Sequence, residues 1–339
     1  MRLSDLVREQ AQDLPGGQTS GQRAEPSQAV PLQGSSDKTP SLPAEASARA
    51  DWYASAQQDM AKVGVLVRAN GVVPVDRCAS LAADVVKRLR TSDDLIQCMM
   101  AGATDDYQVA NAVNVAILSV KIGMGLHYES AALERLALAG LLHDLGMWLV
   151  PPGIIEKPGS LNEEEQARIY AHPEEGRRIV ADMGESYRWL ATTIAQEHER
   201  WDGSGYPCRL KGGDIDESAQ IIGLADVFDA LITQRPYHAR VVPHQALRGL
   251  LVQHKQAFQP RLLKTVVDQL SLYPVGTAVR LNDGHIGVVS KVNPRFPLRP
   301  VLLVRRSHEG RTTGNLAPLD LSHETSTHIV EVLPATQVA

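Results

Sequence analysis

Imidazoles and carboxylates recur through the middle of the chain: the adjacent pair His143-Asp144, His172 in AHPEEG, Glu197-His198 in QEHERWDGSGYP, and Asp226 in IIGLADVFDAL. Each has a plain explanation when taken alone. The His143-Asp144 pair can satisfy a loop by hydrogen bonding, and His172 can cap a helix C-terminus, where an imidazolium is favoured. Glu197 can be a solvated helix residue, and Asp226 an interior acid paired with Arg235. Taken together they suit a metal site, because such a site in a helical bundle is assembled from side chains on facing helices. Nitrogen and oxygen donors without thiolate suit iron, manganese, zinc or a similar divalent ion, and an Asp beside a His can bridge two ions. A two-ion centre lowers the pKa of a bridging water and clamps both oxygens of an in-line displacement at phosphorus, which makes phosphodiester hydrolysis the expected chemistry.

The elements that must position these groups are helices. Residues 105–126 include VANAVNVAILSVKIGMGL, apolar on nearly every face, which predicts a helix buried in the middle of a bundle. A second helix is predicted from about 131 to 148, carrying LLHDLG near its C-terminal end, with others over 162–172, 174–183, 187–200 and 219–233. Asn162 followed by three glutamates is a helix-start signal, with acids that complement the dipole. Upstream, Ala82, Val85, Val86 and Leu89 have helical spacing, and a break at GVVPVD (71–76) implies two or three helices packed against the bundle. After Tyr273-Pro274, short β-branched runs over 277–281, 285–291, 299–305 and 328–333 predict a small β-rich unit.

Residues 1–48 are rich in Pro, Gly, Ser and Gln and read as a disordered arm that a short helix over 3–11 could cap. Across all 339 residues, 34 Lys and Arg against 39 Asp and Glu give a net charge of −5. No global positive field exists to recruit a nucleic-acid polymer or an anionic membrane, so any phosphate ligand must be held locally. The three cysteines, Cys78, Cys98 and Cys208, match neither a disulfide framework nor a zinc ribbon and suit a reducing compartment. No apolar run reaches the length of a membrane span, and a soluble, cytoplasmic protein is expected.

The ordered series HDLG (143–146), KPGSLNEEE (157–165), HPEEG (172–176), HERWDGSGYP (198–207), LKGGDI (210–215) and LADVFDALITQRPY (224–237) resembles the HD-GYP domain, a bacterial branch of the HD phosphohydrolases. The resemblance covers about residues 105–272, half of the chain. It implies a mainly α, HD-type helical bundle whose divalent ions, two in number and iron or manganese, hydrolyse cyclic di-GMP to the linear dinucleotide or to GMP. On this reading a helical region (49–100) precedes the catalytic domain (101–272), and a small β extension (273–339) follows.

By position in the motifs, His143, Asp144 and Asp226 fall on ligands of a first ion, with Asp144 as the bridge. His172 and His198 fall on ligands of a second ion, with Glu197 where relatives often have His. Asp202, Gly203, Gly205, Tyr206 and Pro207 fall on the signature loop, and Arg235 falls where relatives hold a substrate phosphate, with Lys211 expected as a further phosphate contact. Asn111 stands where relatives have a metal-binding His, and an amide oxygen is a weak ligand. Met147 replaces a Lys, Gln220 replaces an Arg, and His238 stands where many relatives have a basic residue. The resemblance therefore implies a cyclic di-GMP phosphodiesterase whose activity Asn111 and Met147 weaken. The alternative is a catalytically impaired module that binds the nucleotide or docks on a partner such as a diguanylate cyclase. Hydrolysis of another cyclic dinucleotide or of a nucleotide phosphate is a third expectation.

Overall fold

The computed structural model describes residues 44–101, 106–233 and 243–269 and, further on, 273, 275–293, 296, 299–306, 318–324 and 326–333. Residues 1–43 with the expected 3–11 helix, and the site residues Arg235 and His238, lie outside the described residues. Helix α1 (Ala44–Asn70) begins inside the segment that composition assigns to the arm, so residues 44–48 are helical. The break expected after it is present: α1 ends before Gly71, and Pro74 precedes α2 (Val75–Thr91). The α2 stripe of Cys78, Leu81, Ala82, Val85, Val86 and Leu89 is buried, as its spacing predicts. A short α3 (Asp94–Ala101) leads toward the centre of the molecule.

That centre is α4 (Tyr107–Gly125). The Asp106 carboxylate accepts from Val109 N and so caps its start, and the body of the helix is buried on all sides. Helix α5 (Ser130–Leu142) packs on α4 and α2, while α1 lies across α4 and the 3-10 segment Leu145–Leu149 that follows α5. A short α6 (Pro152–Ile155) precedes α7 (Glu163–Tyr170), which opens with the capping predicted at Asn162. Asn162 Oδ1 accepts from Glu165 N at 2.8 Å, and Glu165 Oε2 accepts from Asn162 N at 2.9 Å. Helices α8 (His172–Ala181), α9 (Arg188–Gln196) and α10 (Glu217–Ile232) complete the motif-bearing set.

Two helices that periodicity did not announce follow, α11 (Pro243–Gln253) and α12 (Pro260–Gln269). Each starts with a proline, whose missing N–H costs nothing at a first turn, and α12 buries Leu262, Leu263 and Val266 toward α4. One cluster of buried side chains runs from Tyr53 to Val266, so the upstream helices share the core of the motif-bearing ones. No helix among the described residues is long and apolar enough to cross a membrane.

The C-terminal residues form an antiparallel sheet in the order β4-β3-β2-β1-β5: β1 (Ala278–Leu281), β2 (Ile286–Lys291), β3 (Val301–Arg306), β4 (Pro318–Asp320) and β5 (Ile329–Leu333). Four of the five coincide with the β-branched runs. The fifth, β4, is three residues long and begins with Pro318, which an edge strand tolerates because one row of its N–H groups is unpaired. Val279, Leu281, Val289, Leu302 and Leu321 make a core separate from that of the helices.

Candidate metal centre

Helix α5 stops at Leu142, so His143 and Asp144 stand in a turn and not in a helix continuing to Trp148, as the apolar spacing predicts. The cause is a backbone contact made by Gly146. A Cβ there would lie 2.0 Å from His172 O and 2.9 Å from Gly176 N, so only glycine lets this turn rest on the start of α8. Asp144 is thereby pressed against His172, the first residue of α8. Helix α9 likewise ends at Gln196, short of the expected Arg200, which leaves Glu197 and His198 in the turn that follows it. Glu197 is 1 % exposed, so it is no solvated helix residue.

The two motif histidines are oriented in the same way. His143 Nδ1 lies 2.8 Å from Gly140 O, and His172 Nδ1 lies 2.6 Å from Ile169 O, each a carbonyl three residues back. A ring that donates from Nδ1 presents the Nε2 lone pair on its other side, the arrangement found for metal-bound histidines. The capping role open to His172 and a ligand role are thus two ends of one ring.

One donor atom from each of Asp144, His172, Glu197 and His198 lies within 4.8 Å of the others. His172 Nε2 is 2.9 Å from His198 Nε2, 3.2 Å from Asp144 Oδ1 and 3.5 Å from Glu197 Oε1. The other Asp144 oxygen, Oδ2, is 3.6 Å from His143 Nε2, which is 3.9 Å from Asp226 Oδ1. Asp144 therefore stands between a four-donor set and a smaller one, and its side chain is 33 % exposed, so the cluster opens to solvent there.

The donors fit a cation. His143 Nε2, Asp144 Oδ1 and both Glu197 oxygens are buried with no hydrogen-bond partner, a costly state for polar atoms that an ion among them relieves. Electrostatics agree. Burial opposes charge on His143 and His172, yet Asp144, Glu197 and, for His143, Asp226 outweigh it and raise the pKa values to about 9 and about 10. Burial likewise opposes charge on Asp144, and His143 and His172 overcome it and hold this carboxyl well below the usual range. Burial raises Glu197 to about 7, and burial with the charge of His172 pushes His198 well below its ordinary value. A pocket that draws protons onto two buried imidazoles has a deficit of positive charge, which a divalent ion also fills.

Asn111 Nδ2 lies 3.0 Å from Asp226 Oδ1, 2.8 Å from Asp229 Oδ2 and 3.1 Å from the Tyr107 hydroxyl, so its two N–H groups are shared among three oxygens. Its nitrogen, and not the oxygen expected as a weak ligand, faces the carboxylates. It also engages the same Asp226 oxygen that faces His143. Among the described residues Asp226 thus accepts a hydrogen bond from Asn111 and faces His143; its suggested partner Arg235 falls outside the described residues. Met147 is half-buried in the 3-10 segment, and Gln220 Nε2 donates to Ile215 O at 2.9 Å.

The signature loop leans on the same cluster. Tyr206 stacks on His198 with ring centroids 4.7 Å apart and planes at 12°, and meets Tyr170 edge-on at 4.7 Å. Gly205 permits this, since a Cβ there would lie 2.4 Å from both His198 O and Arg200 N. The Tyr206-Pro207 peptide is cis, and Pro207 and Lys211 are exposed, with the Lys211 stem running past Gly203.

Sequence reading missed Glu199. It is 2 % exposed, and its carboxylate accepts from Cys208 N at 2.6 Å and Leu210 N at 2.9 Å, tying the far side of the loop to the turn that carries His198. Only its place between His198 and Arg200 in a polar run hinted at a role, and any solvated acid shows that much. Glu199→Ala is expected to cost about 1–3 kcal/mol by leaving two loop N–H groups without their acceptor. Metal content should be unchanged, and a melting curve beside metal analysis of the variant checks both.

An HD domain matches residues 86–262, and a KOW domain associated with HD domain matches 278–339. The chain is 32 % identical over 212 residues to the cyclic di-GMP phosphodiesterase PA4108 of Pseudomonas aeruginosa, covering 62 % of this chain and 51 % of that protein. It is 37 % identical over 179 residues to the 3'3'-cGAMP-specific phosphodiesterase 2 of Vibrio cholerae, covering 48 % of this chain and 34 % of that protein. The chain thus spans about half of the length of the first of these curated relatives and about a third of the second. Among solved structures, Bd1817, a HDG"Y"P protein from Bdellovibrio bacteriovorus, shares the fold with a TM-score of 0.56 at 24 % identity, covering 68 % of this chain and 74 % of that one. With more than half of its length matched by the family model, this chain belongs to the HD domain family.

Proposed function

We propose that the protein is a metal-dependent phosphodiesterase that hydrolyses cyclic di-GMP to the linear dinucleotide or to GMP. The observation that carries this reading is the convergence of Asp144, His172, Glu197 and His198 with unpartnered donor atoms buried among them. These four residues would hold one divalent ion, iron or manganese, and His143, Asp144 and Asp226 would hold a second more weakly. Ions so held supply Lewis acidity toward a phosphoryl oxygen and toward the attacking water. The chain's own residues do the rest. Asp144 offers one oxygen to each set, and the Nδ1 contacts of His143 and His172 keep both rings turned toward it. Tyr206 covers the face of His198 and shields it from water on that side. Gly205, Tyr206 and Pro207 would border the substrate, Lys211 would take phosphate charge from the open side, and Arg235 would grip a phosphate with its fork. The likeness to phosphodiesterases of cyclic di-GMP and of 3'3'-cGAMP supports a cyclic dinucleotide as the substrate class.

A second reading, a nucleotide-binding module that signals by docking on a partner such as a diguanylate cyclase, is favoured by one observation. Asn111 already engages the Asp226 oxygen that a second ion would need. Metal-free protein resupplied with manganese and given cyclic di-GMP or 3'3'-cGAMP separates the readings. Faster turnover of cyclic di-GMP is expected. Preference for 3'3'-cGAMP would move the substrate assignment, and binding without turnover would favour the docking module.

Asn111→His is expected to tighten the weaker ion position on the order of ten- to hundredfold, the scale on which partners of a metal ligand act, and to raise turnover at limiting metal. A metal titration of both proteins with turnover measured alongside reads this directly. More metal without more turnover would assign the weak catalysis to Met147.

A further inference from the structure

A buried polar chain that ends at Asp226 begins on α1, upstream of the HD domain match. The Tyr53 hydroxyl donates to Asn114 Oδ1 at 2.5 Å, and Asn114 Nδ2 donates to Asp229 Oδ1 at 2.8 Å. Asn111 Nδ2 then joins Asp229 Oδ2 to Asp226 Oδ1, and Thr233 adds a hydroxyl to Asp229 Oδ1 at 2.8 Å. Tyr53, Asn111, Asn114 and Asp229 are all buried.

The polarity of this chain is fixed from one end. A carboxylate only accepts, so both asparagines turn their NH2 groups toward Asp229. Asn114 is left with its oxygen toward Tyr53, which must donate. Burial, with the charge of Asp229, raises the Tyr53 pKa far above its ordinary value, so the hydroxyl keeps the proton it donates. Helix α1 also reaches the other side of the centre: Arg68 Nε donates to Trp148 O at 3.3 Å, and Gly64 lies against the Trp148 ring, four residues beyond Asp144.

We propose that Tyr53 is a positioning residue for the metal centre: acting through Asn114, Asp229 and Asn111, it fixes Asp226, so that α1 sets how tightly the His143–Asp144–Asp226 position holds its ion. The inference rests on the two-position reading given above. Without the phenol hydroxyl, Asn114 Oδ1 is left without the donor it has on α1, and its amide is held only through the Nδ2 bond to Asp229. The anchor of the chain on α1 is then lost, and Asp229, Asn111 and Asp226 are placed less tightly.

The test is a calorimetric titration of the metal-free full chain with manganese. The wild type should show a tight phase and a weaker one. Tyr53→Phe, which keeps the ring and its packing, should weaken the second phase about three- to tenfold, the scale of one lost hydrogen bond, and leave the first unchanged. Met60→Ala, at a fully buried apolar position on the same helix, should lower the melting temperature without moving the second phase. A second phase unmoved in Tyr53→Phe, or moved as far in Met60→Ala, overturns the positioning role alone. A single phase in the wild type overturns the two-position reading and this inference with it.

Discussion

Asp144→Ala is expected to empty the centre, leaving under about a tenth of the wild-type metal per chain and lowering phosphodiester hydrolysis by at least about 10³. Among the described residues, Asp144 is the one whose two oxygens face different donor sets, Oδ1 toward His172 at 3.2 Å and Oδ2 toward His143 at 3.6 Å. No other carboxylate replaces it: Glu197 is committed to the four-donor side and Asp226 to the other. The fold should survive, because the turn is held by main-chain bonds such as Met147 N to Asp144 O at 2.9 Å, which the substitution leaves in place. Elemental analysis of the purified variant, with circular dichroism as the control for folding, reads the result. Wild-type metal content in a folded variant would overturn the ligand assignment.

Gly146→Ala should damage the centre without touching a ligand. The added methyl would meet His172 O at 2.0 Å, His172 C at 2.8 Å and Gly176 N at 2.9 Å, all main-chain atoms that cannot swing aside. The turn and the start of α8 must separate, at a cost of about 1–3 kcal/mol for overpacking. The separation runs along the Asp144–His172 contact. A shift of about 1 Å in a reacting constellation can cost on the order of 10² in rate, and a similar loss of activity is expected here. Gly153→Ala is the control, since its Cβ would enter open space. Melting curves, manganese titrations and hydrolysis rates of the two variants should diverge sharply; equal behaviour would show that the contact does not position the HD pair.

Features carried by neighbouring residues were legible in the sequence. The buried stripe of α2, the apolar body of α4, the cap at Asn162 and four of the five strands each follow from spacing or side-chain chemistry within a few positions. The end of α5 was not legible, because LLHDLGMWL keeps helical apolar spacing to Trp148 and the reason to stop, Gly146 against His172, lies 26 residues away. Convergence of the four donors was readable as motif order, but the turns that present Glu197 and His198 were not. Glu199 resembles any solvated acid until the loop folds over it. The Tyr53–Asn114–Asp229 chain joins residues 61 and 115 positions apart, where no local pattern reaches.

Anomalous diffraction from crystals of the manganese-loaded protein tests the centre most directly. A strong anomalous peak is predicted among Asp144, His172, Glu197 and His198, with a weaker one between His143, Asp144 and Asp226. Crystals at saturating manganese with no peak among the first four residues would contradict the assignment of this cluster as the metal centre.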